Sequence, residues 1–133
     1  NNAIDFLSPD ELQHIHGATD VTGFGLAGHS YQVAKASDVS LKFSHKQIPL
    51  FDLTIASLKA ANLTKAHRSN NDYTQKVLQF KNIEEVETQI YFDPQTSGGL
   101  LLSVSPESAA GIVKKLEVAF PKTSIVGVVI TGV

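Results

Sequence analysis

The chain has 133 residues, 42% apolar and 18% charged, with a formal net charge of -2. That length suits one domain burying roughly two-thirds of its unfolded surface, and the composition excludes wholesale disorder. No basic block marks a nucleic-acid footprint, no apolar stretch approaches the roughly 18 residues that span a bilayer, and the lack of cysteine removes disulfides, thiolate metal sites and a cysteine nucleophile from this chain.

Methionine is also absent and the chain opens Asn1-Asn2, which is expected of a fragment cut from a longer protein. Nothing resembles a signal peptide. The expected setting is the cytoplasm, with neither nucleic acid nor membrane as a partner.

In chain order, Ser8-Pro9-Asp10-Glu11 has the form of a capping box with proline at the first helical position, predicting a short helix that ends by Gly17. Ala27, Tyr31 and Ala34, flanked by Leu26 and Val33, form an apolar stripe that predicts a helix from Gly25 to about Ala36, closed by Ser37-Asp38. Val39, Leu41 and Phe43 alternate with Ser40, Lys42 and Ser44, the period of a strand with one wet face. Leu50 to Ala61 reads as a helix, and the polar stretch Thr64 to Asp72 as a loop. Tyr73 to Phe92 predicts a helical turn followed by a brief strand. Leu100 to Val104 is a short apolar strand, Ser105-Pro106 opens a helix stopped by Pro121, and Ile125 to Ile130 reads as a central strand buried on both faces. The connections are too irregular for a doubly wound sheet. The expected fold is α+β: a single domain with a mixed, mainly antiparallel sheet and helices packed on its faces.

The chemistry concentrates in two stretches. Thr19-Asp20-Val21-Thr22-Gly23-Phe24-Gly25-Leu26-Ala27-Gly28 places a carboxylate, two hydroxyls and bare backbone at the N-terminus of the second helix, where the helix dipole favours anions. Its Gly23 to Gly28 portion matches G-x-G-x-x-G literally. A dinucleotide fold, however, needs a buried strand before the motif and an acid about 20 residues after it. Ile15 to Asp20 is too polar for that strand, and the segment ending Ser44-His45 carries no acid. No Val-Ala-Ile-Lys-like strand follows, as a kinase loop requires. Two readings of the stretch remain side by side. In one, Asp20 is an oxygen ligand for Mg²⁺ and Thr22 caps the helix so that its first amides face a phosphate. In the other, both residues are caps only and the glycines serve close packing.

The second stretch is Asp93-Pro94-Gln95-Thr96-Ser97-Gly98-Gly99. Taken alone, a tight turn feeding the Leu100 strand is its better reading. The 5 histidines show no zinc spacing, and surface or capping roles suit them best. Lys65, His67 and Arg68 form a small basic loop expected to be solvated.

Ala18-Thr19-Asp20-Val21-Thr22-Gly23-Phe24-Gly25-Leu26, followed by Gly28-His29, resembles the signature of the selenophosphate synthetases (selenide, water dikinases). Asp93 to Leu101 resembles their second signature, and Ile48-Pro49 and Asn70 fall at matching places between them. Phe24, interrupting the glycines, favours this family over aminoimidazole ribonucleotide synthetase, thiamine-monophosphate kinase and the hydrogenase maturation factor of the same superfamily.

The resemblance implies that this chain is the C-terminal half of a homodimeric enzyme that makes selenophosphate, AMP and phosphate from selenide, ATP and water. The implied fold is partly ferredoxin-like. The N-terminal half would supply the cysteine or selenocysteine, a lysine, the nucleotide site and most Mg²⁺ ligands. Asp20 matches the metal-binding aspartate of the C-terminal half, with Thr22, Gly23, Phe24 and Gly25 near the phosphates. No catalytic residue is implied in this fragment, which is expected to be inactive alone. Where the family often has Pro-Gly and a later arginine, this chain has Thr64-Lys65 and Ser69 before Asn70, implying a different loop shape. The alternatives are a degenerate relative kept for binding or structure, or another ATP-using enzyme of the superfamily.

Overall fold

In the computed structural model, which describes residues 2–131, Ile15–Asp20 forms the first strand, β1. The helix opened by Ser8 is shorter than expected. It spans Pro9–Leu12 (α1), and the chain is extended again by Ile15. The polarity of Ile15 to Asp20 hid a true strand, because Ile15, Gly17 and Thr19 turn to the half-buried side while His16, Ala18 and Asp20 face outward. Its partner is β3 (Leu100–Val104), antiparallel, in a register running from Ile15 opposite Val104 to Asp20 opposite Leu100. The strands on either side of the Gly23–Gly28 motif, Ile15–Asp20 and Ser40–Phe43, lie in separate strand pairs, which removes any basis for a dinucleotide-type βαβ unit.

These strands belong to the first of two units into which the chain divides, made of residues 2–20, 39–49 and 99–131. A second antiparallel pair joins β2 (Ser40–Phe43) to β4 (Gly127–Ile130), with Ser40 opposite Ile130 and Phe43 opposite Gly127. The last strand is therefore shorter than expected and not buried on both faces. Val128 and Val129, on opposite faces of the strand, are both exposed, and β4 has one partner strand among the described residues. The core of this unit lies where α6 (Pro106–Leu116) packs Ile112 and Leu116 on Ala3 and Leu7, with Ile15, Leu100, Leu102, Val104 and Phe120 around them. The capping box is as expected: Glu11 N–H donates to Ser8 Oγ, and Ser8 N–H donates to Glu11 Oε2 at 2.7 Å.

The second unit, residues 21–38 and 50–98, is helical. It holds α2 (Gly25–Ala36), α3 (Thr54–Lys59), α4 (Lys65–Thr74), α5 (Glu85–Thr88) and a 3-10 turn at Gln89–Tyr91. Three expectations change here. The helix assigned to Leu50 to Ala61 is confined to α3, because Leu53 (φ 67°) and Ala61 (φ 57°) adopt left-handed backbone at either side of it. The strand expected before Asp93 is instead the 3-10 turn, which buries Ile90 and Tyr91. The presumed loop Thr64 to Asp72 is mostly α4. Its inward residues, His67, Asn70 and Thr74, recur at helical spacing but are polar, so an apolar-periodicity search passes over them.

Strands in one unit and helix packing in the other give an α+β fold, with every strand pair among the described residues antiparallel. Among those residues no helix is long and apolar enough to cross a membrane.

Candidate functional site

Each candidate residue is placed by the backbone on either side of Val21. Asp20 closes β1 in the first unit with its side chain on the exposed face. The second unit begins at Val21, which is buried, and proceeds through an exposed Thr22-Gly23-Phe24 turn into α2. The Thr22 carbonyl accepts hydrogen bonds from Gly25 N–H at 3.0 Å and Gln95 N–H at 3.1 Å. The Thr22 hydroxyl does not cap the helix as expected. It hydrogen-bonds His29 Nε2 at 2.9 Å, across the first turn of α2, and the cap position itself falls to Phe24, which has no hydrogen-bonding side chain.

Glycine is required at two points of this turn. Gly25 has φ +68°, and a Cβ there would stand 2.8 Å from the Tyr91 carbonyl oxygen and 3.0 Å from that of Asp93. Gly98 lies so close to the Val21 carbonyl that a Cβ would overlap it. The space beside Gly23 is open. The two conspicuous stretches of the sequence thus meet in the second unit, the Asp93–Gly98 loop lying directly against the Val21–Gly25 turn.

A third element locks them. Asn70, 4% exposed on α4, donates from Nδ2 to the Gly23 carbonyl and to the Phe92 carbonyl, each at 2.9 Å. Thr74, fully buried one turn later, donates its hydroxyl to the Asn70 carbonyl at 2.8 Å. His67, one turn earlier, is buried and places Nε2 3.2 Å from the Gln89 carbonyl. The expected solvated loop of Lys65, His67 and Arg68 is therefore divided: Lys65 and Arg68 face solvent and His67 faces the interior. Phe24 is 51% exposed, with its ring centroid 5.7 Å from His29 and 6.2 Å from Tyr73.

The residue matching a metal ligand is one carboxylate. Among the described residues no group of three or more His, Asp or Glu side chains could enclose an ion. Mg²⁺ takes few protein carboxylates and completes its shell with water and substrate phosphates. An exposed Asp20 fits the role of a single contributed ligand and does not make a metal site by itself. Elsewhere, burial raises the Tyr91 hydroxyl above its ordinary pKa. The hydrogen bond from Lys115 Nζ, followed by that from the Ser8 amide, lowers Glu11 to about 2.

Residues 2–133 match the family described as AIR synthase related protein, C-terminal domain. The chain belongs to that family. As an AIR synthase related C-terminal domain it is 47% identical over 130 residues to the selenide, water dikinase of Bdellovibrio bacteriovorus, covering 98% of this chain and 37% of that protein. Identity to the selenide, water dikinase of Nitrosomonas eutropha is 46% over 129 residues, 97% of this chain and 37% of the relative. For that of Treponema denticola it is 37% over 109 residues, 82% and 31%. The chain thus spans about a third of the length of these curated relatives, from 31% to 37%.

Of the residues singled out from the sequence, Thr22, Gly23, Phe24 and Gly25 of this domain come together with Tyr91 to Gly98, and Asp20 immediately precedes them in the chain. From the sequence Asn70 stands out only as a position matching the family, and the polar inward face of α4 does not stand out at all. The i, i+3, i+7 recurrence of His67, Asn70 and Thr74 was the available signal, but it is a polar stripe in a segment rich in Asn and Ser.

Proposed function

We propose that this chain is the C-terminal domain of an ATP-dependent selenophosphate synthetase, a cytoplasmic homodimer that converts selenide, ATP and water to selenophosphate, AMP and phosphate. The observation that carries this reading is identity of 46–47% to selenide, water dikinases over nearly the whole chain. The direct packing of the Asp93–Gly98 loop on the Val21–Gly25 turn supports it, since the two most distinctive stretches serve one piece of structure.

In this reading Asp20 would offer one carboxylate oxygen to Mg²⁺ bound with ATP, and the N-terminal half of the enzyme would supply the other protein ligands. Mg²⁺, when bound, neutralises charge that builds on the phosphoryl groups as their bonds break. This chain's own contribution is orientation. Thr22, Gly23, Phe24 and Gly25 present the N-terminus of α2, whose dipole favours a neighbouring anion. Asn70 fixes the Gly23 carbonyl and so the shape of the turn. Phe24, half exposed beside it, covers one edge of the turn with apolar surface. The nucleophile and the selenide site lie in the other half.

The test is ³¹P NMR of the full-length protein carrying this chain, incubated with ATP, Mg²⁺ and selenide. The expected result is a selenophosphate resonance with AMP and phosphate from the full-length protein, and no selenide-dependent ATP consumption by this chain alone. Turnover by the pure chain, or ATP consumption by the full-length protein without selenophosphate, contradicts the reading.

A further inference from the structure

Helix α4 turns two hydrogen-bonding rings or amides inward at neighbouring positions, and they are not equally satisfied. Both bonds made by Asn70 Nδ2 are short and good. His67 is 3% exposed, and its Nε2 faces the Gln89 carbonyl, an acceptor, so that nitrogen carries a hydrogen. The opposite nitrogen, Nδ1, is buried without a hydrogen-bond partner. A carboxylate oxygen of Asp93 lies 3.7 Å from it.

A buried polar atom left unpaired is costly, so a histidine that only filled space here would be inferior to an apolar residue of similar size. The placement of the carboxylate gives the ring a second task. Asp93 begins the loop that reaches Thr22 through Gln95 N–H and Val21 through Gly98, and its own carbonyl oxygen abuts Gly25. The Asp93 side chain is half exposed, so the bridge ties a solvent-facing group to the buried face of α4.

We propose that His67 is a positioning residue: with a hydrogen on each ring nitrogen, the form in which both are donors, its ring spans the Gln89 carbonyl and, at the ion-pair distance of 3.7 Å, the Asp93 carboxylate, and holds the start of the Asp93–Gly98 loop against the Val21–Gly25 turn. The bridge stands on geometry alone, whereas its bearing on turnover rests on the proposed function above. Asn70 fixes the turn from one side through Gly23, and His67 fixes the supporting loop from the other through Asp93.

The test combines hydrogen exchange, ¹⁵N NMR of the imidazole and kinetics. In Asp93→Ala, which removes only the exposed end of the bridge, protection of the Gln95 amide falls about tenfold and the Nδ1 resonance of His67 shifts. His67→Phe lowers the same protection, and His67→Gln, which keeps an N–H for Gln89, restores part of it. In the full-length protein, Asp93→Ala lowers kcat for selenide-dependent ATP consumption with its thermal midpoint unchanged. Unaltered Gln95 protection and an unmoved Nδ1 resonance in Asp93→Ala overturn the bridge. Lost protection with wild-type kcat overturns its positioning role. Should His67→Phe fail to fold, Asp93→Ala still decides, because that side chain is half exposed. If the full-length protein makes no selenophosphate, the proposed function fails, while exchange and ¹⁵N data on this chain still judge the bridge.

Discussion

At the residue scale, Asn70 carries more of the candidate site than its chemistry advertises. One amide nitrogen serves two carbonyls, Gly23 and Phe92, that belong to segments far apart in sequence. Asn70→Ala leaves both acceptors without that donor and is expected to cost on the order of 2–4 kcal/mol, read as a lower urea midpoint at unchanged m-value. A loss below about 0.5 kcal/mol would mean that water replaces the amide without penalty. Gly25 is constrained differently, by a φ of +68° and by the Tyr91 and Asp93 carbonyls standing where a Cβ would go. Gly25→Ala is expected to cost more than the ~1–2 kcal/mol of left-handed backbone alone, measurable in the same urea titration.

At the scale of elements, what could be read in advance depended on whether burial was apolar. Helix α2, β2, β3 and α6 lie where their hydrophobic patterns predict them, with Leu26 and Ala27 of α2 and Ile112 and Leu116 of α6 buried. Strand β1 and helix α4 escaped because their inward sides carry Gly17 and Thr19 beside a lone Ile15, only half-buried, in one case and the buried His67, Asn70 and Thr74 in the other. In both, the sequence carries the correct period but not the expected polarity, and tertiary pairing decides the outcome. The exposed last strand has another cause: its β-branched run promised full burial, while β2 covers one edge only.

Helix α1 offers a prediction at this scale. Its capping glutamate, Glu11, accepts from Lys115 Nζ on α6 as well as from the Ser8 amide. These bonds lower the carboxyl from 4.5 to about 2 in the folded state. A depressed folded-state value means stabilisation that is full above the unfolded value of 4.5 and is lost as pH falls toward 2. Thermal midpoints of the wild type and Glu11→Gln should therefore differ near neutral pH and converge on acidification, with added salt shrinking the gap. A gap that widens toward acid pH would contradict this assignment.

At the scale of the whole molecule, family membership was legible because two long motifs occur in the right order. Their physical relation was not. Nothing in the order of residues says that Gly98 presses on Val21, that the Gln95 amide meets Thr22, or that Asn70 clamps both. The Asp93–Gly98 loop, read from sequence as a tight turn before a strand, is a brace for the turn that opens α2. On the proposed function, the domain contributes one carboxylate and one helix terminus, and the reacting groups come from the remainder of the enzyme.

The most direct measurement of that claim is the Mg²⁺ dependence of selenide-driven ATP consumption in the full-length protein, compared between the wild type and Asp20→Asn. If Asp20 lends its oxygen to Mg²⁺ as proposed, its substitution is expected to raise the Mg²⁺ concentration for half-maximal rate at least about tenfold, with a thermal midpoint close to that of the wild type because the side chain is exposed. An unchanged Mg²⁺ requirement at wild-type rate would contradict the account and leave Asp20 as the polar end of a strand.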